Sequence, residues 1–398
     1  MGTPPSDGAQ TKSAAPSIDT YYSDRTWIDS AASAQLSQVA GLAGVKGVKA
    51  FPDLHPGKYG PVGCAVLCDR IFPQLIGNDI GCGMSLFALD MPRRKLNLYK
   101  AAKKLRAVHG LWNGNAGEYL QSAGLSDDLH PLSLGSIGGG NHFCEVQGVS
   151  EIFDENCAQA IGISKSDVLL LVHSGSRSLG AEVFSSVQDS LPDGLDAGSN
   201  AARLYLQQHD EAVIWARLNR QVIAERAASA LKTGIRLIAD SPHNLVEVYD
   251  GHYLHRKGAA KADIPLVPLA GSRDSLSYLL KPAGKISSAY LSLSHGAGRK
   301  YDRRSMLGRA GGTKSEREKL TRNSFGGHIV CEDKQLLIEE APTAYKESSQ
   351  VLEELLAAEL ATSVVSLAPL VTFKNANPAR RDARNPKQVR LHQRRRTR

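Results

Sequence analysis

The chain has 398 residues, of which 42% are apolar and 22% charged, with a formal net charge of +8. This composition suits a globular protein with a sizeable core and excludes collagen-like and wholly disordered classes. With no uninterrupted apolar run near the roughly 20 residues that span a bilayer, and no basic-then-apolar start, a cytoplasmic protein without membrane contact is expected.

Residues 1–18 are rich in Ser, Pro, Gly and Ala and read as a flexible arm. Met1-Gly2-Thr3-Pro4-Pro5-Ser6 matches a loose myristoylation pattern, but no basic cluster accompanies it and it carries no weight. Between residues 19 and 374 there is no low-complexity linker and no internal repeat, which predicts one domain. "GNDIGCGM" offers Asp79 and Cys82, and "GGGNHFCEV" offers Asn141, His142 and Glu145. The stretch "GSIGGGNHF" lacks the strand–helix setting and acidic partner of a dinucleotide fingerprint. "DVLLLVHSGSR" reads as a buried strand ending on His173, with Arg177 four residues on. The longest helical pattern covers residues 200–231, and "DSPHNLVEV" then presents His243 beside Asn244. A short β-type run, Tyr290 to Ser294, delivers His295 in front of Gly296, Ala297, Gly298 and Arg299. "YKESSQVLEELLAAELA" reads as a helix and "VVSLAPLVTFK" as a last strand ending at Lys374.

Strands and helices mix without a clean βαβ alternation. The expected fold is a single large irregular α+β domain with mixed sheets around a metal site, not a Rossmann fold or a TIM barrel. From Asn375 onward nine basic residues face Asp382 alone, which accounts for the whole net charge of +8. Residues 375–398 read as a disordered basic tail, able to bind phosphates without regard to sequence.

The six cysteines (64, 68, 82, 144, 157 and 331) form no C-x-x-C pair and no regular framework, so they read as reduced thiols. Singly, each polar motif has a dull explanation: a histidine after an apolar run is more often a hydrogen-bonded core residue, and Cys82 a small buried hydrophobe. Together, Asp79, Cys82, His142, His173 and His243 form a distributed ligand set, in which a thiolate can bridge two cations and clamp a phosphoryl group. Donors of this kind by themselves favour zinc or iron over manganese, so the residues point to a metal site without fixing its metal. For His295 three roles stay open on spacing alone: a fourth histidine ligand, a proton shuttle, or a nucleophile toward phosphorus.

"DLHPGKYGPVG", "GNDIGCGM", "GGGNHFCEV", "VHSGSRSLG", "HNLVEV", "HRKGA" and "SHGAGR", in this order, resemble the RtcB family of RNA-splicing ligases. The resemblance runs from about Phe51 to Lys374. It implies an RNA ligase that joins 3′-phosphate or 2′,3′-cyclic phosphate ends to 5′-hydroxyl ends, using GTP and two Mn²⁺. Asp79, Cys82 and His142 would hold one ion, and Cys82, His173 and His243 the other. His295 would accept GMP. Asn141, His142, Phe143, Glu145, His243 and Asn244 would line the nucleotide, with Gly271, Ser272, Ser277 and Lys374. Residues His295, Gly296, Ala297 and Gly298 would wrap the α-phosphate, while Arg177 and Arg299 would take phosphates.

The chain departs from that pattern in places. In "PLAGSRDSLSY" Ala270 and Arg273 replace the usual proline and methionine, and Pro56 and Lys58 replace commoner residues in the first motif. These traits, with the basic tail, resemble the branch encoded beside a release-factor-like protein. They imply repair of ribosomal or transfer RNA and, as partners beyond the RNA, the ribosome, that release-factor-like protein and an archease-type activator, with a monomeric enzyme. Two other readings stand beside the ligase: an RNA-binding or ribosome-associated protein with an idle site, and a dinuclear metal phosphoesterase.

Overall fold

The computed structural model describes residues 16–374. The expected tail and all but the last residues of the expected arm lie outside that range. Ser17 and Ile18, read as part of the arm, are already in a strand, Ser17–Thr20, which pairs in parallel with Val45–His55.

The fold is α+β, with mixed sheets, as the sequence predicts. A large sheet runs in the order Val267–Leu269, Ser277–Pro282, Ala361–Lys374, Phe143–Ile152, Asp167–Ser174, Gly83–Pro92, Ile235–Pro242, with His328–Cys331 added to the Ala361–Lys374 strand. Its two end strands approach each other, so the sheet curls into a nearly closed barrel. A second sheet has five strands, ordered Ser17–Thr20, Val45–His55, Val62–Cys68, His252–Lys257, Asn244–Tyr249. A short ribbon pairs Ala259–Lys261 with Ser292–Ser294.

Side chains alternate across the central strands because successive Cβ atoms point to opposite faces. Phe87, Leu89, Val168, Leu170 and Val172 pack with Ile223, Ala224 and Ala227 of the long helix. Met84, Leu86, Leu169 and Leu171 take the other face with Leu279 and Val365. Burial on both faces explains why "DVLLLV" reads as a continuous apolar run and not as an alternation.

The helix spans Asn200–Leu231, as expected from its periodicity. Ser199 caps it through its side chain, which accepts from the Ala202 amide, and Lys232 ends it in the left-handed conformation (φ 64°). Two other elements are shorter than the sequence suggests. The helix read in residues 345–361 forms only over Ser348–Ala357, because Ala361 already begins the last strand. Of the run from Tyr290 to Ser294 only Ser292–Ser294 is extended. Tyr290 and Leu291 are left-handed (φ 52° and 48°), and lead out of the 3₁₀ turn Ile286–Ala289.

Candidate active site

Topology brings the ligand set together. Asp167–Ser174 lies between Phe143–Ile152 and Gly83–Pro92 and is antiparallel to both, and Ile235–Pro242 is antiparallel to Gly83–Pro92. The start of one strand therefore meets the end of its neighbour. Gly83 pairs with Ser174 and with Pro242, and Phe143 pairs with His173. Cys82, His142, His173 and His243, each at or next to one of those ends, fall on one edge of the sheet. Residues scattered over about 160 positions share a site because antiparallel pairing places them there.

The long helix holds the loops. Buried Arg220 donates from Nη1 to the carbonyls of Gly81 (2.8 Å) and Ser174 (3.1 Å), and pairs through Nη2 with Asp240 (2.8 Å). Its neighbour Asn219 donates to the Ser136 and Gly175 carbonyls (3.1 and 3.2 Å) and accepts from the Gly135 amide (2.7 Å). One helical turn thus fixes the segments that carry Cys82, His142 and His173. Gly81 (φ +70°) lets its loop lie against this helix, since a Cβ there would sit 2.8 Å from the Val213 Cα.

Cys82 Sγ lies 3.3 Å from His142 Nε2 and 3.2 Å from His173 Nε2, and Asp79 Oδ2 lies 2.8 Å from His142 Nε2. The donor atoms of Cys82, His142 and His173 fall within 4.8 Å of one another, a group able to hold a metal ion. The His173 and His243 rings stand 5.1 Å apart. Burial holds both imidazoles well below the usual histidine range, so both are neutral bases. Burial disfavours the Asp79 carboxylate, yet His142 and Arg177 outweigh it and keep its pKa low. His243 Nδ1 is buried without a hydrogen-bond partner. An orphaned buried nitrogen costs stability unless something occupies its lone pair, and a cation does so. The donor set and this orphan fit a metal centre formed by Asp79, Cys82, His142, His173 and His243.

His295 stands beside that cluster, its ring 4.5 Å from the His243 ring. It is held from behind. Nδ1 lies 2.7 Å from Asp53 Oδ2 and 2.6 Å from the Gly258 carbonyl, and the His295 amide donates to the same carboxylate oxygen at 3.2 Å. Both neighbours of Nδ1 are acceptors, so Nδ1 carries the proton and Nε2 keeps its lone pair. Gly258 makes the approach possible (φ +62°): a Cβ there would meet Val62 Cγ1 at 2.3 Å. Asp53 is fully buried at the end of Val45–His55, a strand of the other sheet, and Lys346 braces it by donating to the Pro52 and Leu54 carbonyls (2.8 and 2.9 Å). Asp53 opens the motif "DLHPGKYGPVG", yet sequence reasoning gives it no task. Its one signal there is a lone carboxylate in the apolar run "KAFPDLH".

A cavity of about 360 Å³ runs from these histidines past Asn141, Phe143 and Asn244 to Glu145 and Lys374. Glu145 accepts from Gln147 Nε2 (2.8 Å) and from the Thr372 hydroxyl, and burial pushes its carboxyl up. Lys374 donates to the His142 carbonyl (3.1 Å) and faces Glu340 (3.5 Å). Gly271, Ser272, Gly296, Ala297 and Gly298 also line the cavity. Ser277 bonds within the wall, accepting from the Gly271 amide (3.0 Å) and Gln147 (2.9 Å).

The two arginines expected at phosphates are held by protein groups. Arg177 Nη1 lies 3.2 Å from His142 Nδ1, and its Nε is buried without a partner. Arg299 lines the cavity but binds Glu340 (3.1 Å), the Glu339 carbonyl (2.9 Å) and the Tyr301 carbonyl (3.0 Å), and lies over the Tyr345 ring. Glu340, unnoticed in the sequence, gathers Arg299, Arg303, Lys374 and the Tyr345 hydroxyl around one buried carboxylate. Nothing in "LLIEEAPTAY" marks it.

Comparison with known proteins agrees with this arrangement. The model of the family described as tRNA-splicing ligase RtcB matches residues 35–111 and 109–375. The RNA-splicing ligase RtcB2 of Escherichia coli is 38% identical over 90% of this chain and 96% of its own length. The tRNA-splicing ligase RtcB of Thermococcus kodakarensis is 26% identical over 81% of this chain and 86% of its own, and the RNA-splicing ligase RtcB of Mycobacterium tuberculosis is 26% identical over 82% and 96%. A match over nearly the whole described chain, together with a Cys–His cluster at the joined strand ends, places this chain in the RtcB family.

Proposed function

We propose that the chain is a GTP- and Mn²⁺-dependent RNA ligase joining 3′-phosphate or 2′,3′-cyclic phosphate ends to 5′-hydroxyl ends, with His295 as nucleophile. The observation that supports this most is the pairing of His295 Nδ1 with Asp53 and the Gly258 carbonyl, which leaves Nε2 as the free base beside the metal-capable cluster.

In the first step Nε2 attacks the α-phosphorus of GTP. The Nε2–P bond forms, the bond from that phosphorus to the β-bridging oxygen breaks, and pyrophosphate leaves. The ring keeps its Nδ1 proton, and the buried Asp53 carboxylate balances the positive charge that develops on the imidazole. Asp79, Cys82 and His142 would hold one Mn²⁺, and Cys82, His173 and His243 a second. When bound, the ions neutralise charge on phosphoryl oxygens. Glu145 takes the guanine edge as acceptor and Lys374 lies close to it, while the backbone of residues 296–298 approaches the α-phosphate.

GMP then passes from His295 to the RNA 3′-phosphate, giving an RNA-(3′)pp(5′)G end. A cyclic phosphate is first opened by water. The 5′-hydroxyl oxygen attacks the 3′-phosphorus and GMP leaves. Both ends must lie in line, so positioning carries much of the rate. The departures at Ala270 and Arg273, which resemble the branch encoded beside a release-factor-like protein, support RNA repair as the role.

The test is covalent labelling by [α-³²P]GTP with Mn²⁺, followed by joining of a nicked RNA with cyclic-phosphate and 5′-hydroxyl ends. Label that disappears in His295→Ala and a joined product that needs both GTP and Mn²⁺ are expected. Undiminished labelling of His295→Ala would remove the assignment.

A further inference from the structure

Arg273 is a buried cation with unused hydrogen-bonding capacity. It is 6% exposed and contributes to the wall of the cavity. Nη2 donates to the Leu337 carbonyl at 2.8 Å, while Nη1 is buried with no partner. A guanidinium N–H withdrawn from water and left unpaired is unfavourable, so a protein interior seldom leaves one without reason.

Its place in the loop decides what it faces. The backbone just before it is tied to the nucleophile segment: the Ala270 amide donates to the His295 carbonyl (3.2 Å), and the Ala297 amide to the Ala270 carbonyl (2.9 Å). Three residues further on, the chain is anchored elsewhere. Asn323 Nδ2 donates to the Arg273 carbonyl (3.0 Å), and the Ser324 amide to Asp274 (2.6 Å). The Arg273 side chain thus leaves the phosphate end and reaches the Leu337 carbonyl, in the helix Lys334–Glu339 that runs into Glu340, the partner of Lys374. It therefore belongs to the Glu145 and Lys374 end of the cavity, the end assigned above to the base.

We propose that Arg273 is a specificity-determining residue that reads the 6-position of the purine, its free Nη1–H donating to the carbonyl oxygen of a 6-oxopurine nucleotide. The inference rests on the GTP-dependent reading. The chemistry discriminates because guanine and hypoxanthine present an acceptor at C6, whereas adenine presents an amino group, which would meet Nη1–H donor to donor. Lys374 is less suited to this task, since its ammonium is already engaged by the His142 carbonyl and faces Glu340.

The experiment compares GTP with 6-thio-GTP, which keeps the N1–H and 2-amino donors for Glu145 but replaces the oxygen by a weakly accepting sulfur. Formation of the covalent nucleotidyl adduct is followed in single turnovers. In the wild type the half-saturating concentration should be about 10-fold or more higher for 6-thio-GTP, and Arg273→Met should raise that for GTP about 10- to 100-fold. The variant's value for 6-thio-GTP should stay within about 3-fold of wild type, and the maximal rates should change little, because Arg273 touches no reacting atom. Equal weakening of both nucleotides would assign Arg273 to ribose or phosphate and overturn the proposal, as would no weakening of either. Arg273→Gln serves as a second variant, and if neither folds, a wild-type ratio near one overturns the proposal by itself. Absence of any adduct in the wild type overturns the GTP-dependent reading and this inference together; adduct formation with unchanged discrimination overturns the Arg273 assignment alone.

Discussion

Asp53 and His295 lie 242 residues apart in sequence, one in the five-stranded sheet and the other just past the Ser292–Ser294 strand, yet Asp53 Oδ2 is 2.7 Å from His295 Nδ1 in the protein interior. The carboxylate fixes the tautomer and orients the ring, and in the proposed mechanism it faces the charge that would develop there. Asp53→Asn keeps the shape and can keep one hydrogen bond, but it removes the negative charge and lets the amide donate to Nδ1, which favours the wrong tautomer. GMP transfer to His295 should slow by about 10²- to 10⁴-fold, on the scale of losses seen when a buried acid behind a catalytic histidine is neutralised. Single-turnover labelling with [α-³²P]GTP measures this. A rate within about 3-fold of wild type would show that the carboxylate is only a packing element.

Metal removal should act on both chemistry and stability. Cys82 Sγ sits between His142 Nε2 and His173 Nε2, and His243 Nδ1 has no partner, so the folded chain presents a ligand set that the unfolded chain lacks. Mn²⁺ added to chelator-treated protein should raise the melting temperature, since a ligand that binds only the folded state stabilises it by mass action. Cys82→Ala and His243→Ala should lose most of that rise and their bound manganese, measured by elemental analysis. Retention of full manganese by Cys82→Ala would remove the thiolate from the site.

Much of this site is legible in the sequence because its chemistry sits in short motifs next to glycines. Asp79, Cys82, His142, His173 and His243 read as one ligand set, and antiparallel pairing of four strands brings them to one edge. The long helix is readable from its period, and its extent matches Asn200–Leu231. What cannot be read depends on contacts between distant segments. Asp53 gains its meaning only when the Val45–His55 strand meets the Ser292–Ser294 ribbon. Arg299 is read in the sequence as a phosphate-binding arginine, but its pairing with Glu340, forty-one residues on, has no sign there. Tyr290 and Leu291 carry strand-forming side chains, yet the preceding 3₁₀ turn places both in left-handed conformations.

The basic tail lies outside the described residues, and its prediction rests on charge alone. Removal of residues 375–398 takes away nine basic residues and one acid, the whole net charge of +8. Each phosphate that the shortened chain no longer neutralises should reduce the slope of log affinity against log salt by about 0.7 for a single strand. RNA binding measured between low and high KCl should therefore weaken and flatten in the truncated chain, while GMP labelling of His295 stays unchanged. An unaltered salt slope would show that the tail does not touch RNA.

Glu340 should dominate the acid sensitivity of the Lys374 end of the cavity. Burial opposes its ionisation, but Lys374, Arg299 and Arg303, with the Tyr345 hydroxyl, hold its pKa down to about 2, from 4.5 for an ordinary glutamate. A carboxylate with a depressed folded pKa contributes stability that is fully present above the unfolded value and is lost as pH falls toward the folded one. The window here is therefore pH 4.5 down to about 2. Glu340→Gln leaves three cationic side chains without their shared counter-charge, and loss of one partner from such a buried group typically destabilises by about 3–5 kcal/mol. Urea unfolding at pH 7 should show a loss of that order, and the gap between variant and wild type should narrow as the pH is lowered through the window. A gap that stays constant from pH 7 to pH 3 would mean that the Glu340 charge is not what holds Arg299, Arg303 and Lys374 in place.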